Sequence, residues 1–298
     1  MRVAIRNAAK AIIAKKQWEI ILPPNQNTYI LSRGQIAWCI ADSFLNGNYG
    51  YLNWDTLTNE QRLACLHDYF TRLHNTDELV KFERVSKTEF VEPDSECIDI
   101  NVIVHAKPME TQCETIVDFA NANLHIHRIQ DTVTQEELIF STHSECFLGL
   151  HLFPNSMLAN ECIVFHNVWR HASYTGYGET FRFNGPVDAI QTVIAMDATS
   201  EDDLRKAYIG FSSVPSDSVS TGNWGCGAFQ CNPFIKFFEQ ILAAQWAKKK
   251  TLYYSTFGDL VQMEQFQYLL RFIKSQNWSW KFVRDHLYEP YFIKSIIR

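Results

Sequence analysis

Apolar residues recur at helical spacing twice in the first third of the chain. Ile36, Cys39, Ile40 and Phe44 follow Ser32 and Gln35; Leu63, Leu66, Phe70 and Leu73 follow Thr58 and Gln61. Steps of three and four line one face of a helix. Each Ser/Thr-x-x-Gln pair also fits a capping box, in which side chain and backbone exchange hydrogen bonds. The N-terminal third therefore reads as helical. After Pro93 the pattern shifts to short β-rich runs at 98–104, 162–168, 190–196 and 252–256, several of them apolar on both faces. Such strands belong to a sheet covered on both sides. Helices are predicted between and after them, at 233–248 and 260–275. In the first, Asn232 caps and Pro233 takes the first helical position, where its missing N–H costs nothing. Ile235, Phe238, Ile241, Leu242 and Trp246 then form an apolar stripe read as core. Alternating strands and helices predict an α/β domain with a mixed sheet over 93–298. Residues 1–92 are expected to pack on it as a helical accessory region.

Composition narrows the chemistry. With 298 residues, 46% hydrophobic and 14% aromatic, the chain has the material for a large core. A net charge of -6 argues against direct nucleic-acid binding, which needs clustered cations on phosphate. Ligand phosphates would have to be held by backbone amides and helix ends. No apolar run reaches the roughly 18 to 20 residues that span a bilayer, so no membrane role is expected. Eight cysteines are scattered without a Cys-x-x-Cys pair, which points away from zinc knuckles and disulfide scaffolds. That suits a reducing, cytoplasmic or nuclear setting. The basic start, with Arg2, Arg6, Lys10, Lys15 and Lys16, reads as an ordinary helix, with a mitochondrial presequence as the alternative.

Four segments carry candidate chemistry. Gln135-Glu136-Glu137 puts two adjacent carboxylates at a loop or helix start. Two carboxylates held together in an enclosed site favour a neutral form of one, which is what a general acid needs. The plainer reading is acidic residues at the positive end of a helix. The segment 221–229, Thr-Gly-Asn-Trp-Gly-Cys-Gly-Ala-Phe, alternates glycines just before the helix at Pro233. Its amides can converge on a phosphate, or it can be a plain turn. Tyr177, between two glycines, can stack on a ligand or pack as a surface ring. Phe257 lies just past a predicted strand end, where ligands gather in open α/β sheets.

In order and spacing, Val-Asp-Phe-Ala-Asn at 117–121, Gln-Glu-Glu at 135–137, Tyr-Thr-Gly-Tyr at 174–177, the glycine string at 221–229 and Thr-Phe-Gly-Asp at 256–259 resemble the poly(ADP-ribose) glycohydrolase family. The likeness covers roughly residues 30 to 275. It implies a macrodomain-like mixed sheet between helices, with a helical extension before it. It implies that Glu137 protonates a departing ribose oxygen and later activates water, that Glu136 fixes ribose hydroxyls, and that Asp118 and Asn121 support the distal ribose. Asn223, Gly225, Cys226, Gly227, Ala228 and Phe229 would line a diphosphate. Tyr177 would clasp the ligand, Phe257 would stack near adenine, and Gln135 and, more weakly, Glu110 would add adenine or ribose contacts. The resemblance implies no cofactor and no metal, and a ligand that is ADP-ribose or poly(ADP-ribose).

The chain departs from the family at one place. Where the family carries three consecutive glycines, this chain has His125-Ile126-His127, followed by Arg128. Three readings stay open. The loop re-forms and still admits ligand, with Arg128 or a protonated His meeting phosphate. The loop blocks the pocket, leaving a protein that binds ADP-ribose, or a protein partner through its N-terminal helices, without turnover. Or the two His, facing the same way on an extended segment, bind a metal.

Overall fold

The computed structural model describes residues 1–15, 18, 20–87, 100–198, 202–289 and 291–296. In chain order the elements are α1 (Arg2–Lys15), β1 (Thr28–Ser32), α2 (Arg33–Asn46), α3 (Glu60–Arg72), β2 (Leu79–Ser86), β3 (Asn101–His105) and β4 (Thr115–Asp118). There follow α4 (Gln135–Thr142), α5 (Gly149–Leu152), β5 (Glu161–Thr175), β6 (Arg182–Ala195), α6 (Asp203–Ser212) and β7 (Ser218–Gly222). The last are α7 (Pro233–Trp246), β8 (Thr251–Ser255), α8 (Leu260–Ser275), α9 (Trp280–His286) and α10 (Phe292–Ile296). The class is α/β, as the alternation predicts. The chain forms two units: Met1–Arg84 with Ala120–Met157 and Ile163–Ala195, and Val85–Phe119 with Leu158–Cys162 and Met196–Arg298. The 92/93 boundary expected from the sequence falls outside the described residues.

The first unit holds strands in the order β1-β2-β5-β6, with β1–β2 and β5–β6 paired antiparallel. The N-terminal third is thus not purely helical. In β2, Val80 and Phe82 are fully buried while Lys81 and Glu83 are not, a two-residue period that makes a strand. The Ser32 box forms as expected: its hydroxyl accepts the Gln35 N–H at 3.2 Å and Gln35 Oε1 accepts the Ser32 N–H at 2.8 Å. The Thr58 box does not. Asn59 caps α3 instead, its Oδ1 accepting from the Gln61 and Arg62 amides at 3.0 and 3.2 Å. Thr58 is taken by Asp131, whose carboxylate also accepts the Thr58 and Asn59 N–H groups at 2.7 Å each. Ile5, Ala9 and Ile12 of α1 are buried, and α1 packs on α2 and α3.

The second unit is built on parallel strands in the order β4-β7-β8-β3. The expected 98–104 run appears as β3, residues 98 and 99 lying outside the described set. β7 escaped the sequence reading because it is polar. Its Ser220 and Thr221 are fully buried and satisfied, Ser220 donating to the Met109 carbonyl and Thr221 to Gln240 Oε1 at 2.8 and 2.5 Å. Asn232 caps α7 as predicted, accepting the Phe234 N–H at 2.9 Å. Phe238, Ile241, Leu242 and Trp246 are buried, as expected of a core stripe, whereas Ile235 at its start is half-buried. No helix among the described residues is long and apolar enough to cross a membrane.

Candidate functional site

Thr134 ends the loop before α4 and builds the helix start. Its N–H and hydroxyl both donate to Glu137 Oε2, at 2.7 and 2.5 Å. This capping box fixes the Glu137 side chain back over the first turn. Glu137 is 4% exposed and Glu136 6%. Glu136 faces the preceding loop, its Oε1 accepting the His125 N–H at 2.8 Å and its Oε2 the Asn121 N–H at 3.3 Å. The adjacent carboxylates therefore diverge, one binding the cap and the other tying down the loop. Gln135 is half-buried at the first helical position, and Asn121 Oδ1 accepts the Asn123 N–H at 3.0 Å. Tyr177 is brought to the same turn. The neighbouring Gly178 N–H donates to the Val133 carbonyl at 3.1 Å, and the Tyr177 hydroxyl is hydrogen-bonded to the Gln135 backbone. Its ring remains 45% exposed. Burial, then the charge of Glu137, raises the Tyr177 hydroxyl above its ordinary range.

The segment His125-Ile126-His127 is not extended. Its φ angles are 49°, 52° and 55°, a left-handed turn that side chains other than Gly, Asn and Asp rarely adopt. The turn thus takes a backbone hand that suits glycine with three residues that are not glycine. The side chains diverge. His125 is fully buried against Phe140 and Phe147, with ring centroids 4.4 and 5.9 Å away. Ile126 is 54% exposed, and His127 lies 5.3 Å from the Tyr51 ring. The two His do not share a face, which removes the geometry of the metal reading. Among the described residues no group of three metal-ligating side chains occurs. Burial, and then the Arg62 cation, pushes the His125 imidazole well below its usual pKa, so it is neutral and not a phosphate-binding cation. Arg128 is exposed.

Two residues that organise this turn were not singled out in the sequence. Arg62 of α3 is 1% exposed and donates to the carbonyls of Gln130 and Thr132 and to Ser141 Oγ. Asp131, between those carbonyls, holds the start of α3. A buried guanidinium clamping two carbonyls has no linear signature. Only the capping pattern at Asn59-Gln61 hints at it.

The second unit carries the remaining candidates. Asp118, fully buried, ends β4, and its carbonyl accepts the Met196 N–H at 3.2 Å. Glu110 is buried in a short 3-10 turn. Asn223 follows β7, its amide donating to Gln262 Oε1 at 2.7 Å and accepting from the Tyr254 hydroxyl at 3.1 Å. Trp224 is buried and donates to the Met196 carbonyl at 2.9 Å. At Gly225 φ is 76°, and a Cβ would stand 2.5 Å from that of Ala198, so only glycine fits. Gly227, by contrast, has open space where a Cβ would be. Among the described residues no acceptor takes the N–H groups of Gly225, Gly227, Ala228 or Phe229, although Cys226, Gln230 and Cys231 donate within the loop. Free amides in a glycine loop ahead of a capped helix are suited to an anion. Burial pushes the Cys226 thiol up to about 12, so it is no nucleophile. Phe257, at φ 48°, follows β8 with 43% of its surface exposed.

Comparison with known proteins bears on these motifs. The family profile described as "Poly (ADP-ribose) glycohydrolase (PARG), Macro domain fold" matches residues 92–264. "Probable poly(ADP-ribose) glycohydrolase 2" of Arabidopsis thaliana is 29% identical over 210 residues, covering 49% of this chain and 40% of that protein. "Poly(ADP-ribose) glycohydrolase 2" of Caenorhabditis elegans is 27% identical over 218 residues, covering 60% of this chain and 44% of its own. The chain thus spans less than half the length of these relatives. A solved poly(ADP-ribose) glycohydrolase from Deinococcus radiodurans in complex with ADP-ribose is 13% identical, covers 86% of this chain and all of its own, and superposes with a TM-score of 0.38. The profile match takes in the carboxylate turn, Tyr177 and the glycine loop and runs over more than half of the sequence: the chain belongs to the poly(ADP-ribose) glycohydrolase family.

Proposed function

We propose that this chain hydrolyses ribose–ribose glycosidic bonds of poly(ADP-ribose), releasing ADP-ribose, with Glu137 as the acid and then the base. The observation that carries this reading is the division between the two oxygens of Glu137. Among the described residues both of its side-chain hydrogen bonds run to Oε2, from Thr134, which leaves Oε1 for substrate. Protonated Oε1 delivers its proton to the departing ribose oxygen as the glycosidic C–O bond breaks. The carboxylate then takes a proton from the water that attacks the oxocarbenium-like sugar carbon. Glu136 keeps the His125 and Asn121 amides in place, and the amides at 225 and 227–229, without an acceptor among the described residues, suit a diphosphate. Tyr177 and Phe257 offer exposed rings for stacking.

A second reading, binding of ADP-ribose without turnover, is supported by one observation: the Ile126 side chain projects from the turn next to Glu136. One experiment separates the two. The purified chain is incubated with poly(ADP-ribose), and released ADP-ribose is quantified alongside ADP-ribose binding by thermal shift. Release that disappears in Glu137→Gln, with binding retained, supports the hydrolase. Binding without release at stoichiometric enzyme supports the second reading.

A further inference from the structure

We propose that His125 is a positioning residue for Glu137, donating an Nδ1–H hydrogen bond to Oε1 once that oxygen has given up its proton. The inference deepens the proposed hydrolase function and rests on it. His125 Nδ1 lies 3.9 Å from Glu137 Oε1. The imidazole is fully buried, yet among the described residues neither ring nitrogen has a hydrogen-bond partner. A buried donor is rarely left unmade without a use. Its ring is held by Phe140 and Phe147, and its backbone is pinned by the Glu136 carboxylate, so it cannot turn away to find another acceptor. Glu137 is equally constrained through Oε2. The only adjustment required is a closure of about 1 Å to reach hydrogen-bonding distance.

The surrounding charges fit this role. Glu137 meets the imidazole from α4 and the Arg62 cation acts on it from α3, while Glu136 takes the His125 N–H and Asp131 acts on Arg62. Burial beside the Arg62 cation keeps the imidazole neutral, so it donates without exchanging a proton. The proton passes from Oε1 to the departing ribose oxygen as the C–O bond breaks. The carboxylate left behind accepts Nδ1–H, and the attacking water returns a proton to Oε1 as its oxygen bonds the sugar carbon.

Imidazole 15N NMR on the full chain, without substrate, tests the tautomer directly. A neutral His125 with its proton on Nδ1 is expected; a proton on Nε2 overturns the proposal. In kinetics, His125→Phe keeps the ring packing and removes both nitrogens. It is expected to lower kcat about ten- to hundredfold with KM unchanged. His125→Asn tolerates the left-handed backbone and carries an amide donor near the Nδ1 position, so it is expected to recover most of that loss. Equal losses in both variants, or none in Phe, overturn the role. If the native chain releases no ADP-ribose, the proposed function fails, and the tautomer still decides whether His125 is oriented toward Glu137.

Discussion

Replacing Arg62 with Met removes the clamp on the loop that carries the Glu137 cap while keeping a long apolar side chain in its place. The guanidinium makes three hydrogen bonds: Nε to Ser141 Oγ at 2.8 Å, and Nη1 to the Thr132 carbonyl at 2.9 Å and to the Gln130 carbonyl. Hydrogen bonds from a charged donor contribute about 1.5–3 kcal/mol each, or roughly 5–9 in total. Against this stands the cost of keeping a cation where 1% of the residue is exposed. Burial, outweighing the attraction of Glu137 and Asp131, pushes Arg62 down from 12.5 to about 10. That corresponds to roughly 3 kcal/mol relieved in the Met variant. The expected net loss is about 2–6 kcal/mol, read from urea unfolding of native and Arg62→Met protein at one pH. Arg62→Lys keeps the charge but not the planar fork, and is expected to lose nearly as much. A Met variant within about 0.5 kcal/mol of native would refute the clamp.

Three further outcomes follow from the same geometry. Glu136→Gln weakens the acceptor for the His125 and Asn121 amides, so hydrogen exchange at those two N–H groups is expected to speed up severalfold; unchanged exchange would sink the anchor role. His143 is held neutral by burial, its pKa pushed down to about 3, whereas the unfolded chain protonates it near 6.5. Its contribution is fully present above the unfolded value and is lost as pH falls toward the folded one, about 2 kcal/mol by pH 5. Urea midpoints at pH 7.5 and 5 should therefore diverge less in His143→Gln than in the native chain, and equal divergence contradicts this. The combined change His125→Gly, Ile126→Gly and His127→Gly is expected to lower ADP-ribose release while leaving the melting temperature within a few degrees; higher release would show that the native side chains obstruct the site.

Local signals were legible where one short segment contains all the parties. The Ser32–Gln35 box, the Asn232-Pro233 helix start and the apolar stripe of α7 each need only a few neighbouring residues, and each formed. Glu136 and Glu137 were readable as a helix start for the same reason. The reading failed where distant groups compete. Thr58 would cap its own helix, but Asp131, far along the chain, takes it and leaves the cap to Asn59. β7 is hidden because buried Ser220 and Thr221 find partners outside the strand, so polarity does not mark exposure there. The division of Glu137 into a capped and an open oxygen depends on which rotamer the helix start selects, and sequence says nothing about rotamers.

The turn at 125–127 has one property that glycine supplies and lacks the other. Two are separable: a missing Cβ, which opens space, and ready access to positive φ. Three successive left-handed residues with side chains cost roughly 1–2 kcal/mol each, so this chain sustains about 3–6 kcal/mol of strain to hold the turn. The offset is visible. The His125 N–H is taken by Glu136, the Ile126 N–H by the Asn123 carbonyl at 2.7 Å and the Arg128 N–H by the His125 carbonyl at 3.2 Å. The His125 ring adds buried contact with two Phe rings, and His127 lies against Tyr51. His125 points inward, its Nδ1 3.9 Å from Oε1 of Glu137, while Ile126 is the side chain that the turn leaves exposed.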